Sequence, residues 1–378
     1  MNPAGRIKVF HLLTDKNIGG AGKHILYLLS AADRERFDYT AVLPEGAKMS
    51  EKLRAAGIRV TELPGFDKSF CPSCKGALKK LFMSEKPDIV HTHSALTAVR
   101  AAAAARVPVR IMTKHCSDLP PEYTRDLLGR TLCRAHFRRN LSAAIATDHS
   151  SADALKACGM PADMITVIEN GAIPPKEHTE AEKRAFRSGL GIPEDAVIAG
   201  NFARLEPVKA QSDILAAAAL LTKQAGNLYF IIAGTGSLEA ELREKIAKFG
   251  LTDRVKLTGY MDDISLCMSV CTFNINTSVG TETTNLALTG GMSLGLDPIE
   301  TDVGGNRRLV ENGGCGYVIP CDDPPALAAA LLGLMRDPPE IAFLSEKAVS
   351  FFRESRTAER MARETEELYL GLLGKLRS

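Results

Sequence analysis

Arg204 and Lys209, five residues apart in Asn201-Phe202-Ala203-Arg204-Leu205-Glu206-Pro207-Val208-Lys209, put two cations into one loop after a β-branched strand pattern. Two cations fixed beside a dry strand end suit a multiply charged anion and stabilise charge that builds on a leaving oxygen. On an open loop the same pair is simply solvated. Gly19-Gly20-Ala21-Gly22 is a second anion candidate, set between a strand pattern at 7–13 and a helix pattern marked by Ile25, Leu28 and Leu29. Glycine lets a ligand approach the backbone, and free N–H groups at a helix start favour negative charge. The spacing is neither a dinucleotide-binding G-x-G-x-x-G nor a Walker loop.

Glu282 follows the small polar run Ser278-Val279-Gly280-Thr281 and precedes a helix pattern, Leu286, Ala287, Leu288 and Met292. The amides of Thr283, Thr284, Asn285 and Leu286 would open that helix and can face an anion, while the Glu282 carboxylate accepts hydrogen bonds from hydroxyl groups. A plain helix cap is the other use of such a carboxylate. His115 stands just past the strand pattern at 110–113, where an imidazole either meets a ligand hydroxyl or is a satisfied packing residue. His91 and His93 alternate in a spacing that suits a metal. No nearby carboxylate or cysteine completes a ligand set, so we read them as capping a strand end and nominate no metal. Cys71-Pro72-Ser73-Cys74 is half a zinc site and reads as free thiols, and Asp262-Asp263 as a turn or helix cap. Arg130, Arg134 and Arg138 recur every four residues among Leu127, Leu128, Leu132, Phe137 and Leu141. That stretch is either an ordinary helix with a solvated arginine face or a basic amphipathic surface for anionic lipid.

The elements that must position these residues alternate between short β-branched runs and longer amphipathic stretches, the pattern of parallel sheets wrapped by helices. One series runs through 7–13, 39–43, 89–93, 110–113 and 144–147; a second, after the proline-bearing stretch 174–193, runs through 197–201, 229–233, 255–258, 272–275 and 316–319. The fold class is α/β, two Rossmann-like halves with ligand in the crevice at the carboxyl ends of the strands.

In register, these stretches resemble the retaining glycosyltransferases of family four, a GT-B group. The agreement includes Arg204 and Lys209, Glu282, Ile168-Glu169-Asn170-Gly171, Gly234-Thr235-Gly236, Gly259-Tyr260, Met292-Ser293-Leu294-Gly295 and Asp302-Val303-Gly304-Gly305-Asn306, and covers almost the whole chain. The resemblance implies an acceptor-side domain over 1–178, a C-terminal helix within 356–378 packing back on it, a nucleotide-sugar domain over 179–355 and a deep interdomain cleft. It also implies that Gly20, beside Gly19, touches the donor phosphate, that Arg204 and Lys209 clamp the diphosphate, that Glu282 with Thr283, Thr284, Asn285 and Leu286 orients the donor sugar, and that His115 supports the reacting centre. Retention implies that the leaving diphosphate helps deprotonate the acceptor, and we nominate no protein nucleophile. The family's second glutamate, which holds the ribose, falls on Gly290. Losing its hydrogen bonds would weaken donor binding by about 1.5–3 kcal/mol. Asp297 and Glu300 fall where proline and an apolar strand residue are usual.

With 378 residues, 45% of them hydrophobic, the chain can fill two globular cores. No apolar run approaches the roughly 20 residues of a membrane helix, the start lacks a signal peptide's apolar core, and nine scattered cysteines suit reduced thiols. A cytoplasmic protein is therefore expected, peripheral at the inner face of the membrane if the arginine stretch rests on lipid. Residues 1–178 hold 26 Lys and Arg against 18 Asp and Glu, and residues 179–378 hold 21 against 27. A basic first half suits an anionic partner. We expect a hexosyltransferase-type enzyme of surface polysaccharide or glycolipid assembly, with a nucleoside diphosphate sugar as co-substrate, no other cofactor, a glycan or lipid-linked acceptor and no nucleic acid partner. The rivals are an impaired or non-catalytic GT-B protein that binds a glycan or a partner transferase, for which Gly290 speaks, and a nucleotide-dependent dehydrogenase, against which the first glycine loop speaks.

Overall fold

The computed structural model describes residues 5–118, 122, 126–280, 283 and 285–376. It forms two units: residues 1–172 with 356–378, and residues 173–355. The first holds a parallel sheet of β1 (Ile7–Leu13), β2 (Phe37–Pro44), β3 (Arg59–Leu63), β4 (Ile89–His93), β5 (Val109–Lys114), β6 (Ala143–Ala146) and β7 (Ile165–Val167), in the order β3-β2-β1-β4-β5-β6-β7. The second holds β8 (Val197–Phe202), β9 (Leu228–Ala233), β10 (Val255–Gly259), β11 (Phe273–Asn276), β12 (Asp297–Thr301) and β13 (Tyr317–Ile319), in the order β10-β9-β8-β11-β12-β13. Both are Rossmann-like, as the alternating sequence pattern requires.

Each sheet reverses its strand order once, between β1 and β4 and between β8 and β11. At such a switch point the flanking connections diverge and leave a crevice beyond the strands' carboxyl ends. The glycine turn and His91 and His93 lie at the first reversal, and the Arg204–Lys209 loop at the second.

The helices bury their apolar faces on the sheets. Gln211–Leu221 turns Ile214, Leu215, Ala217 and Ala218 against Phe230, Ile232 and Phe273, so its alanine run is a close-packed face. The C-terminal helix Ala358–Lys375 inserts Met361, Ala362 and Tyr369 into the first unit's core with Val9, Leu28 and Phe37. Its return is fixed by backbone bonds from Ala172 N–H to the Arg356 carbonyl (2.9 Å) and from Ala358 N–H to the Ala172 carbonyl (3.0 Å), and by the ion pair of buried Arg356 with half-buried Glu169.

The division between the units falls six residues earlier than the expected end at 178. Residues 173–178 belong to the second unit because His178 Nε2 bonds Ser265 Oγ at 2.6 Å and Pro175 lies against Gly290.

At Gly171 a Cβ would collide with the Thr357 carbonyl. Gly171→Ala should therefore lower stability by about 1–3 kcal/mol through overpacking, read as a reduced urea midpoint, whereas the same change at Gly189, which meets nothing within 4 Å, should not lower it.

Candidate functional site

In the second unit β8 ends in Asn201 and Phe202, and the chain turns through Arg204 into the short helix Pro207–Lys209. Gly234 and Gly236, after β9, let this loop settle: a Cβ at either would strike the Ala203 or Leu205 carbonyl, and Leu205 N–H donates to the Thr235 carbonyl at 3.0 Å. Arg204 is exposed and Lys209 half-buried. Burial first, then the Arg204 charge, pulls the Lys209 ammonium down to about 8, with Glu300 opposing. Two cations that repel one another across a partly desolvated loop are stabilised by an arriving polyanion.

The chain after β11 is seated on that turn. Thr277 Oγ1 lies 3.0 Å from the Lys209 carbonyl and 3.1 Å from that of Ala210, to either of which it can donate, and Val279 N–H donates to the Val208 carbonyl at 2.9 Å. Gly280 lies so close to Val208 that no Cβ fits. From below, Asn276 Oδ1 accepts from Ser278 N–H at 3.2 Å and from its hydroxyl at 2.5 Å, and Thr301 Oγ1 donates to the Ser278 carbonyl at 2.5 Å. The structure thus brings together Arg204, Lys209 and the entrance to the 281–284 loop. Glu282 and Thr284 themselves lie outside the described residues. Thr283 is buried. Asn285 caps the helix Leu286–Ser293, its Oδ1 accepting from Ala287 N–H (3.0 Å) and Leu288 N–H (3.4 Å). Those two amides are already engaged, which leaves Asn285 a structural cap and the anion-binding expectation to the amides before them.

Gly290 lies buried in that helix, yet a Cβ there would meet Pro175 Cγ at an ordinary 3.8 Å. Packing does not demand glycine at this position, in contrast to Gly291, whose Cβ would strike Asn274 Nδ2. Asp297 and Glu300 are both fully buried on β12. Neither Asp297 oxygen has a hydrogen-bond partner, and burial, with Glu340 adding, pushes its carboxyl up to about 8. Glu300, opposite Asn276 in the ladder, accepts from Asn276 Nδ2 at 2.9 Å; burial raises its carboxyl well above the usual range, against the pull of Lys209. The sequence marked Glu300 as an oddity of the strand, and the fold sets it beside a candidate phosphate cation. Its place two residues before the Asp302-Val303-Gly304-Gly305 turn was the available signal.

In the first unit Gly19 is the N-cap of Gly20–Ser30, a helix with no side-chain cap, and Gly20 faces open space. Gly22 has a packing role, since a Cβ there would press on Met49. His91 and His93 do more than cap a strand end. His91 lies inside β4 and His93 is its last residue; both are buried and belong to a five-histidine cluster with His11 from β1, His24 from the glycine-turn helix and His115 after β5. His115 bonds His93 at 2.8 Å, His93 bonds His11 at 3.0 Å, and His11 meets the Tyr369 hydroxyl at 3.2 Å. Tyr369 also bonds His91 at 2.6 Å, and His91 bonds Thr113 at 2.6 Å. His24 Nδ1 donates to Asn170 Oδ1 at 2.8 Å. Burial holds all five imidazoles below their ordinary range, His11 at about 3 and His24 at about 4. The sequence offered only the pair at 91 and 93, because the other three come from separate elements.

Cys71 and Cys74 are free thiols side by side, and Asp263 caps a helix start by accepting from Ser265 N–H at 2.8 Å. On the helix Leu127–Asn140, Arg130, Arg134 and Arg138 are exposed, Phe137 is buried, and Leu127, Leu128 and Leu132 stand out at 86%, 70% and 63% exposure. Among the described residues no helix is long and apolar enough to cross a membrane.

Comparison with known proteins agrees with this geometry. Residues 182–351 match the family described as glycosyl transferases group 1, and residues 18–174 the glycosyltransferase family 4 domain. The chain is 26% identical over 75% of its length to a putative glycosyltransferase, EpsD, of Bacillus subtilis, covering 78% of that protein. It is 25% identical over 88% of its length to an Escherichia coli UDP-Gal:alpha-D-GlcNAc-diphosphoundecaprenol alpha-1,3-galactosyltransferase, covering 89% of it. Among solved structures, Anabaena HepE in complex with UDP superposes with a TM-score of 0.82 at 20% identity, over 97% of this chain and all of that one. Sucrose-phosphate synthase of Thermosynechococcus elongatus does so with 0.78 at 19%, over 98% and 100%.

Two expectations follow. Gly290→Ala should stabilise the protein by about 0.5–1 kcal/mol, read as a raised unfolding midpoint, because the helix gains propensity without a clash. Asp297 keeps its proton in the folded chain up to about pH 8 but loses it near pH 4 when unfolded, so stability falls as pH rises between those values. Asp297→Asn should remove that part of the fall, a slope on the order of 1 kcal/mol per pH unit, and leave the part due to Glu300; an unchanged slope in urea titrations at several pH values would refute the assignment.

Proposed function

The chain belongs to the group 1 glycosyltransferases of GT-B fold, and from that premise we propose that it moves a hexosyl group from a nucleoside diphosphate sugar to a hydroxyl of a glycan or lipid-linked acceptor, with retention of configuration. The observation that carries this reading is the seating of residues 277–280, which lead to Glu282 in the sequence, on the Pro207–Lys209 turn that follows Arg204.

Arg204 and Lys209 hold the donor diphosphate and take up the charge left on it when the glycosidic bond breaks. Glu282, at the end of the seated loop, orients the donor sugar. Gly19 and Gly20 offer uncapped amides to phosphate, and His115 supports the reacting centre. The leaving diphosphate receives the acceptor's proton. Surface polysaccharide or glycolipid assembly is the process that suits such an acceptor, in line with the activity named for the Escherichia coli relative. The exposed leucines and arginines of Leu127–Asn140 rest on anionic lipid at the inner membrane face, presenting the acceptor.

One observation favours a second reading, a GT-B protein of weak or no turnover that binds a glycan or a partner transferase: Gly290 supplies no carboxylate for a ribose although its surroundings would accept a side chain.

A thermal-shift panel of UDP-, GDP- and ADP-sugars separates the two. A selective rise in Tm with the native chain is expected, with Lys209→Ala abolishing it and cutting kcat/KM about 100- to 1,000-fold. A rise seen only after Gly290→Glu favours the second reading. Vesicles containing phosphatidylglycerol should retain the native protein and release an Arg130→Glu, Arg134→Glu, Arg138→Glu variant; equal retention would remove the membrane contact.

A further inference from the structure

The histidine cluster of the first unit divides into an inner and an outer part. The inner part is chemically closed: His11 spends its two ring nitrogens on His93 and Tyr369, and His91 spends both on Tyr369 and Thr113. The outer part is His24, His93 and His115, with one ring nitrogen of each within 4.8 Å of those of the other two. His24 and His93 are buried, while His115 is half-buried and so opens the group to solvent.

We propose that His24, His93 and His115 form a three-imidazole site for a borderline divalent metal ion of the Zn2+, Co2+ or Ni2+ class.

Four features carry it. The donor set is all nitrogen, which suits these ions and not Mg2+ or Ca2+, whose sites are built of oxygen. Three histidines leave a fourth tetrahedral position for water. The ligand atoms need little movement: ring nitrogens around a zinc ion stand about 3.4 Å apart, for bonds of about 2.0–2.1 Å. The His93–His115 pair at 2.8 Å would open slightly, and the other separations already lie within 4.8 Å.

The last feature is the outer shell, which metal-binding histidines require to fix their tautomers. Asn170 Oδ1 can only accept, so His24 carries its hydrogen on Nδ1 and keeps a lone pair on Nε2. His93 can donate Nε2–H to His11 Nδ1, His11 can donate Nε2–H to the Tyr369 oxygen, Tyr369 can donate to His91 Nδ1, and His91 can donate Nε2–H to Thr113 Oγ1. In that sense of the chain every group is satisfied with all rings neutral, and the lone pair of His93 Nδ1 points to His115. On binding, His115 gives up its Nε2 bond to His93 and carries its hydrogen on Nδ1, so no net proton is lost.

Titration of the tag-free protein with Co2+ tests the site without reference to sugar transfer, so its failure would leave the function proposed above standing. We expect a visible ligand-field band that saturates at one equivalent and is bleached by Zn2+. His24→Gln and His93→Gln should each weaken Co2+ binding at least tenfold, with far-UV circular dichroism showing both folded, while His149→Gln, outside the cluster, should leave it unchanged. No band at one equivalent of Co2+, or a band of equal affinity in folded His24→Gln, would overturn the proposal.

Discussion

The second unit depends most on how closely the chain after β11 approaches the turn after β8. Thr277 and Val279 engage the backbone of Val208 to Ala210, and Gly280 touches Val208 where no side chain fits. The Val279 bond joins main chain to main chain, while the Thr277 hydroxyl and the Val208 side chain make the other contacts. Together they set residues 277–280 against the turn that carries Lys209. The polar residues beneath follow from the same approach. Asn276 faces both Ser278 and Glu300, Asn201 Nδ2 donates to the Ile275 carbonyl at 2.8 Å, and Thr301 ties Ser278 to β12. Buried polar groups are stable where they are hydrogen-bonded, and here their bonds also hold residues 277–280 against the turn. Asp297, with neither oxygen partnered among the described residues, keeps its proton in the strand.

The first unit solves a comparable problem with aromatic nitrogen. Five imidazoles and a tyrosine hydroxyl are buried at the β1/β4 switch point, where the fold provides a site and not a core. His115, His93, His11 and Tyr369 bond one another in a chain, so the orientation of His115 is tied to Tyr369 on the C-terminal helix. That helix is held by Gly171, Ala172 and the Arg356–Glu169 pair. A helix distant in sequence thereby reaches the edge of the candidate site.

Much of this was legible in the sequence. The β-branched runs placed the sheets, and the spacing from Arg204 to Lys209 placed two cations at a strand end, because strand-to-helix turns in a parallel sheet are local features. What was not legible depends on separate elements meeting. His11, His24 and His115 lie on three different elements, so His91 and His93 looked like an incomplete pair. Glu300 looked like a misplaced charge until β12 was laid beside β11. That the Asn285 side chain caps the following helix was likewise a matter of rotamer, which spacing does not encode. The leucines at 127, 128 and 132 fitted a helix face in the sequence, and only the structure shows that this face is uncovered.

The central claim is that the docked loops make one polyanion site in the second unit. Calorimetric titration of the native protein and a Gly280→Leu variant with UDP, GDP and ADP tests it most directly, since the substitution pushes the loop off Val208 and touches neither cation. The account predicts that the nucleotide bound by the native chain binds the folded variant at least tenfold more weakly. Equal affinity in both would contradict it.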